Sequence, residues 1–259
     1  MAKSKDISQA VREVCLWFPE AEEVLSHGSP DFRVKGKTFA TYVINHHGDG
    51  RIALWLNAPA GAQEHYAKQE PKHFFVPPYV GPRGWLGVNL DKGISWKTVA
   101  RLVRDAYIKV APASLAKALD KTIEITPPTM TLKPEDFDPM QSKRAKAVLK
   151  ELRPICLALP EASEDTQFGM PVWRAGKKVF AQAYYYRGER KLQLAFWVGV
   201  DQQALLIRDS QFSIPAYLGH NGWIAVDVSK DANWKEIRSL ALFSYRHFAL
   251  GRMLKALDP

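Results

Sequence analysis

Residues 15–40 read CLWFPEAEEVLSHGSPDFRVKGKTFA, and residues 156–181 read CLALPEASEDTQFGMPVWRAGKKVFA. Aligned without a gap, 12 of the 26 positions are identical, where chance would leave roughly one or two. The matches include residues with special backbone demands: Pro19 and Pro160, Gly28 and Gly169, Pro30 and Pro171. The chain is therefore a tandem repeat, and its function is a question about two copies of one module. A second shared block, PPYVGPRGWLGVNLDKGISW at 77–96, returns as PAYLGHNGWIAVDVSKDANW at 215–234. The offset drops from 141 to 138 between the blocks, after the third predicted strand, where an indel costs least.

The 259 residues suit two domains of roughly 105–115 residues, each able to bury its own core. Hydrophobic residues make up 46% and charged ones 24%, the balance of an ordinary globular chain. The N-terminal MAKSKDISQAVREVC lacks the apolar stretch of a secretory leader, and no apolar run of about 18 residues occurs, so a cytoplasmic protein off the membrane is expected. Cys15 and Cys156 occupy equivalent places, which reads as two small core residues rather than a disulfide or a metal pair. The formal net charge is +9 and uneven. Residues 8–111 hold 13 basic against 10 acidic side chains, 112–141 hold 3 against 5, and 142–259 hold 18 against 11. The second repeat carries most of the positive field, which favours a polyanionic partner such as nucleic acid.

In chain order, Val11, Val14, Cys15 and Phe18 lie at helical spacing, which predicts a helix over 8–18 capped by Ser8 or Asp6 and stopped by Pro19. An acidic loop, Glu20 to Glu23, leads into predicted strands 27–34, 38–45 and 51–57, joined by the turn Lys35-Gly36 and the loop 46–50. A short helix over 61–69, strands over 72–77 and 85–90, and a helix over 95–110 follow. Residues 112–141 have no recognised counterpart, and four prolines bracket Glu135, Asp136 and Asp138, so this stretch reads as a linker, its first part prolonging the preceding helix and the rest extended over a surface. The second copy repeats the order: helix 142–158, strands near 167–174, 178–186 and 191–198, a helix from Asp201, strands near 211–215 and 223–228, and one long helix from Asn233 to about Leu257. The expected organisation is module 1–111, linker 112–141 and module 142–259, packed as a pseudo-dimer within one monomeric chain.

The motifs CLxxPEAxE, G-x-P-x-[FW]-R, K-x-F-A and Y-x-G-x-x-G-W, each present twice, resemble the MmcQ/YjbR family. That resemblance implies an α+β module of secretion-chaperone-like fold (helix, three strands, helix, two strands, helix) with a double-wing DNA-binding motif. In much of the family the last block reads more like H-x-N-K-x-H-W. Here it is Val80-Gly81-Pro82-Arg83-Gly84-Trp85 and Leu218-Gly219-His220-Asn221-Gly222-Trp223, which leaves Arg83 and His220 as partial substitutes for the family's His and Lys.

Signals for catalysis are weak: the sequence holds no HExxH, CxxC, GxSxG, Walker A or GxGxxG. His46-His47 adjoin on a loop, but neighbours in extended chain alternate sides and the second repeat has Tyr186-Arg187 there. No metal and no organic cofactor is expected, and an enzyme is the less favoured reading. Glu20, Glu22, Glu23, Glu161, Glu164 and Asp165 read as exposed charge rather than as an acid/base pair. The hairpin tips are the candidate site, because a short hairpin can present cations and backbone N–H groups to phosphates. They carry Arg33, Lys35 and Lys37; Arg174, Lys177 and Lys178; and Arg187, Arg190 and Lys191. With no helix gathering Asn, Gln and Arg for base reading, contacts should be mostly to the nucleic-acid backbone and weakly sequence-selective. The alternative is a ligand- or protein-binding module whose sheet is lined by the aromatic pairs Phe32/Trp173, Trp55/Phe196 and Trp85/Trp223; core packing accounts for the same pairs.

Overall fold

The computed structural model describes residues 5–119, 123–186 and 191–258. These divide into two compact units, residues 1–137 and 138–259. Each is a six-stranded antiparallel sheet with helices, so the chain is α+β built twice.

The first unit runs α1 (Ile7–Leu16), β1 (Ala21–Ser26), β2 (Ser29–Val34), β3 (Lys37–Ile44), β4 (Ile52–Leu56), α2 (Ala62–Gln69), β5 (Phe74–Phe75), β6 (Leu86–Asn89), α3 (Trp96–Val110) and α4 (Ala113–Lys117). The second runs α5 (Lys143–Leu157), β7 (Ala162–Gln167), β8 (Met170–Ala175), β9 (Lys178–Tyr186), β10 (Lys191–Trp197), α6 (Val200–Leu206), β11 (Phe212–Ser213), β12 (Trp223–Asp227), α7 (Trp234–Phe248) and α8 (Gly251–Leu257). Strand order is β1-β2-β3-β4-β6-β5 in one sheet and β7-β8-β9-β10-β12-β11 in the other, so the topology is the same.

The sequence motifs set this up locally. Asp6 caps α1, its carboxylate accepting from Gln9 N while the Gln9 side chain accepts from Asp6 N, two otherwise orphan donors satisfied together. Val11, Val14 and Cys15 on α1 and Val99, Leu102, Val103 and Ala106 on α3 are buried against Phe32, Phe39, Leu54 and Val88 of the sheet. Cys156 lies in the equivalent core of the second unit with Phe180, Leu194 and Tyr245. Both cysteines are free and buried, and burial pushes both thiols up in pKa, since a desolvated thiolate is costly. At the far end of each long helix a tyrosine hydroxyl reaches back across the core. Tyr107 donates to Pro19 O at 2.7 Å and Tyr245 to Pro160 O at 2.5 Å.

Four details differ from the sequence pattern. The acidic loop expected at 20–23 is the start of an edge strand, so the meander has four strands, with Glu22 paired to Arg33 and Glu164 to Trp173. Its residues are mostly exposed and show no apolar alternation; charge on an edge strand blunts pairing with other chains. The aromatic match Trp55/Phe196 is out of register. Leu56 pairs Ala40 and Leu86, and Phe196 pairs Ala181 and Ile224, so Phe196 is the counterpart of Leu56 and the β9–β10 connection is one residue shorter. A one-residue slip turns every side chain to the other face, and accordingly Trp55 packs with Val43, Ala53 and Trp85 away from the main core while Phe196 is inside it. The helix expected to run to Leu257 breaks at Ala249 and Leu250, both extended, and α3 stops likewise at Ala111 and Pro112; only the break after α3 is dictated by a proline. Finally, α4 and α8 correspond, Lys117-Ala118-Leu119-Asp120 matching Lys255-Ala256-Leu257-Asp258, so the repeat extends through 112–120.

Beyond α4 the chain returns to α1: Thr129 N and Met130 N donate to Lys5 O at 2.8 and 3.1 Å, and Ile123, Ile125 and Leu132 pack on the first core. Met140, by contrast, is buried in the second. Among the described residues no helix is long and apolar enough to cross a membrane.

Candidate nucleic-acid interface

The β2–β3 hairpin turns on Lys35 and Gly36, both left-handed at φ 49° and 74°, as a type I′ turn requires. The β8–β9 hairpin reverses the order. Gly176 comes first at φ 60° and Lys177 second, so the glycine takes the left-handed position and the lysine sits in an unstrained one.

This swap accompanies a change in how the charges are held. In the first unit Arg33 Nη2 donates to Asp31 Oδ2 at 3.0 Å, and Thr41 Oγ1 donates to Asp31 Oδ1 at 2.6 Å; Asp31 is buried. Lys35 forms an ion pair with Glu20. Of the three predicted cations only the exposed Lys37 makes no ion pair among the described residues. In the second unit Arg174 Nε donates to Asp165 Oδ2 at 2.9 Å. The Asp165 carboxyl is held below the usual carboxylate range first by the Thr166 N–H and then by Arg174. Glu161, the counterpart of Glu20, is claimed instead by Arg252 of α8, with Nε to Oε1 at 2.9 Å and Nη2 to Oε2 at 2.6 Å, and this pair holds its carboxyl below the usual range. Lys177 and Lys178 are exposed and, among the described residues, without an ion pair. Lys191 opens β10 and is exposed; Arg187 and Arg190 lie outside the described residues.

Arg83 and His220 sit elsewhere, on exposed 3₁₀ turns at Gly81–Arg83 and Gly219–Asn221. No hydrogen bond or ion pair among the described residues joins either to a hairpin. Their loops are built identically. Gln63 Nε2 donates to Gly81 O and Trp85 O at 2.8 and 2.6 Å, and Gln203 Nε2 to Gly219 O and Trp223 O at 2.8 and 2.6 Å. A Cβ on Gly81 would meet Val76 Cγ1 at 2.5 Å, which explains the repeated glycine. Tyr79 and Tyr217 are left-handed at φ 63° and 66° and exposed, and Tyr79 Oη lies 3.2 Å from His47 Nε2.

The aromatic pairs are packing. Phe32, Trp173 and Phe196 have no exposed surface, and Trp55, Trp85 and Trp223 retain 6%, 9% and 6%. Apart from the exposed Glu22, the acidic residues are salt-bridge partners: Arg12 binds Glu23 and Arg153 binds Glu164, each Nε to Oε2 at 2.9 Å. Among the described residues no three His, Cys, Asp or Glu side chains converge in a way that could hold a metal. Sequence reasoning missed the paired Gln63 and Gln203, whose offset of 140 lies between the two motif blocks, and it missed the lysines of α5, legible as Lys143, Lys146 and Lys150 at helical spacing.

A family model described as YjbR matches residues 16–108 and again 157–247. Among solved structures, the crystal structure of the Deinococcus radiodurans protein DR2400, a DUF419-domain protein, is similar at 19% identity; the match covers 45% of this chain and 88% of that one, with a TM-score of 0.37. No curated protein matches the chain.

Proposed function

This chain belongs to the YjbR family through both of its repeats, and we propose that it binds nucleic acid without catalysis, gripping the phosphodiester backbone with the hairpins of its second unit. The observation that carries this reading is the re-pairing of Glu161. In the first unit Glu20 neutralises the hairpin's Lys35; in the second, Arg252 takes the equivalent carboxylate and leaves Lys177 and Lys178 available to phosphates. An ammonium on a flexible stem is suited to phosphate as a point charge rather than to base edges, so selectivity for sequence is low. Arg187, Arg190 and Lys191 join the same reading from their place in the sequence of the next hairpin; Arg33 and Lys35 would first have to leave Asp31 and Glu20. The protein would act as a single cytoplasmic chain with its two units as the two functional modules.

The test compares Lys177→Gln/Lys178→Gln with Lys35→Gln/Lys37→Gln by titrating a labelled DNA duplex over a range of salt. Each phosphate contact contributes about 0.9 to the slope of log affinity against log salt. The first variant should flatten the plot by about 1.8 and the second by no more than about half of that. Equal effects, or no binding of DNA or RNA even at low salt, would sink the reading.

A further inference from the structure

The nucleic-acid reading above places contacts at hairpin tips, but the second unit has a longer row of cations. On α5, Lys143, Lys146 and Lys150 are all exposed, and spacings of three and four put them on one face. Among the described residues none forms an ion pair, although Glu151 stands beside Lys150. The first unit does not share this feature. At the positions of Lys146, Lys150 and Arg153 it has Lys5 in an ion pair with Glu13, uncharged Gln9, and Arg12 bound to Glu23.

The start of α5 adjoins two other segments. Arg144 Nε donates to Val228 O at 2.7 Å, Val228 N donates to Leu192 O at 2.9 Å, and Leu192 N donates to Ser229 Oγ at 3.0 Å. Lys143, Lys191 and Lys230 each lie within one or two residues of that junction. Asp227 accepts from Ser229 N at 2.9 Å, and among the described residues exposed Asp231 forms no ion pair with Lys143 or Lys230. The first unit builds the same junction, Leu90 N donating to Ile52 O at 2.8 Å, but there Lys92 is paired with Asp91 at 2.9 Å. Ser229 replaces that aspartate. The other end of α5 lies over β7, with Arg153 on Glu164, and β7 opens at Ala162 opposite Ala175, the residue before the Gly176–Lys177 turn.

We propose that the outer face of α5 is a track for duplex nucleic acid, leading from the β10–β12 junction toward the Lys177–Lys178 turn. From Lys143 to Lys150 the row rises about 10 Å, or roughly three base pairs at 3.4 Å each. The row lies on the helix before Pro154, so its charges are held at fixed spacing, which suits the regularly spaced phosphates of a duplex better than those of a flexible single strand. The proposal rests on the phosphate-directed reading and extends it from a hairpin grip to a surface.

The experiment uses the full chain and a labelled DNA duplex of about two turns, with affinity measured from roughly 50 to 200 mM salt. Lys143→Gln/Lys146→Gln/Lys150→Gln is compared with Lys68→Gln/Lys72→Gln/Lys97→Gln, which removes the same charge from exposed positions of the first unit. Lys and Gln have nearly equal helix propensity, so circular dichroism should be unchanged. The α5 variant should flatten the salt slope by about 2.7, making the affinity loss across that range about 40-fold smaller, while the control keeps the wild-type slope. An unchanged slope in the α5 variant, with a flattened one in Lys177→Gln/Lys178→Gln, would overturn the track and leave the hairpin reading standing. Equal flattening by the control would also overturn it, as diffuse charge; a wild-type chain that binds no duplex would overturn both.

Discussion

Gly87 is the residue on which the two copies can be set against each other most sharply. It pairs with Phe75 across β5 and β6, and the Phe75 ring lies so close that a Cβ would meet Cζ at 2.5 Å and Cε1 at 2.6 Å. The Arg51 guanidinium stands 4.2 Å from the centre of the same ring, so the ring is not free to retreat. In the second unit the equivalent pair is Ser213 and Ala225: where the ring is missing, a methyl is present. Gly87→Ala should therefore destabilise the first unit by about 1–3 kcal/mol through overpacking. Phe75→Ser should cost about 1–2 kcal/mol, a part of the value of a fully buried Phe. On that serine background Gly87→Ala should reverse sign and stabilise by about 0.5 kcal/mol, since glycine in a strand is entropically costly and the backbone here needs no left-handed turn. The cycle thus predicts a coupling of about 1.5–3.5 kcal/mol. The assay is urea-dependent thiol labelling followed by mass spectrometry. Cys15 and Cys156 are buried one to each unit, so each labels only when its own unit opens. The Cys15 midpoint should follow the cycle and the Cys156 midpoint should stay put. Effects additive to within about 0.3 kcal/mol, or a movement at Cys156, would refute the reasoning.

Two further outcomes are expected from the same fold. Gln203→Leu leaves Gly219 O and Trp223 O without their donor and should lower the stability of the second unit by about 2–4 kcal/mol, read as a lower Cys156 midpoint with Cys15 unmoved. Acid should weaken the second unit before the first. Glu161, Asp165 and Asp258 are held below the usual carboxylate range by Arg252, by the Thr166 N–H with Arg174, and by Arg246 respectively. A depressed folded pKa gives stability that is present above the unfolded value and lost as pH falls through the folded one, here below about pH 4. Asp49 of the first unit is raised by burial and acts in the opposite sense. Hydrogen exchange by mass spectrometry between about pH 4 and 2.5 should show protection fading first in β7 to β9; equal fading in both units would count against it.

The repeat was legible because it rests on residues that only one backbone conformation or one packing environment accepts, such as Gly28/Gly169 and Trp85/Trp223. The α+β order followed from helical and alternating periodicity. The edge strands β1 and β7 were not legible, because a strand facing water on both sides keeps no apolar alternation. The Trp55/Phe196 pairing failed for a subtler reason: side-chain facing has a period of two, and one deleted residue in a loop reverses it without disturbing composition. The hairpin cations were legible as charges but their state was not. Whether Lys35 meets Glu20, or Glu161 meets Arg252 from 91 residues away, is decided by tertiary placement.

The tyrosine that ties each long helix to the turn after the first one spans 88 residues in the first unit and 85 in the second. During synthesis a unit therefore cannot close until nearly its whole length has left the ribosome, since such distant contacts form only after a large loop has been ordered. Two consecutive copies sharing similar segments invite an exchange of strands between them, a characteristic failure of repeated domains. Here the order of emergence works against that error. Pro19 and Tyr107 are both made before the competing segment that begins at Cys156, so the first unit has the earlier opportunity to close.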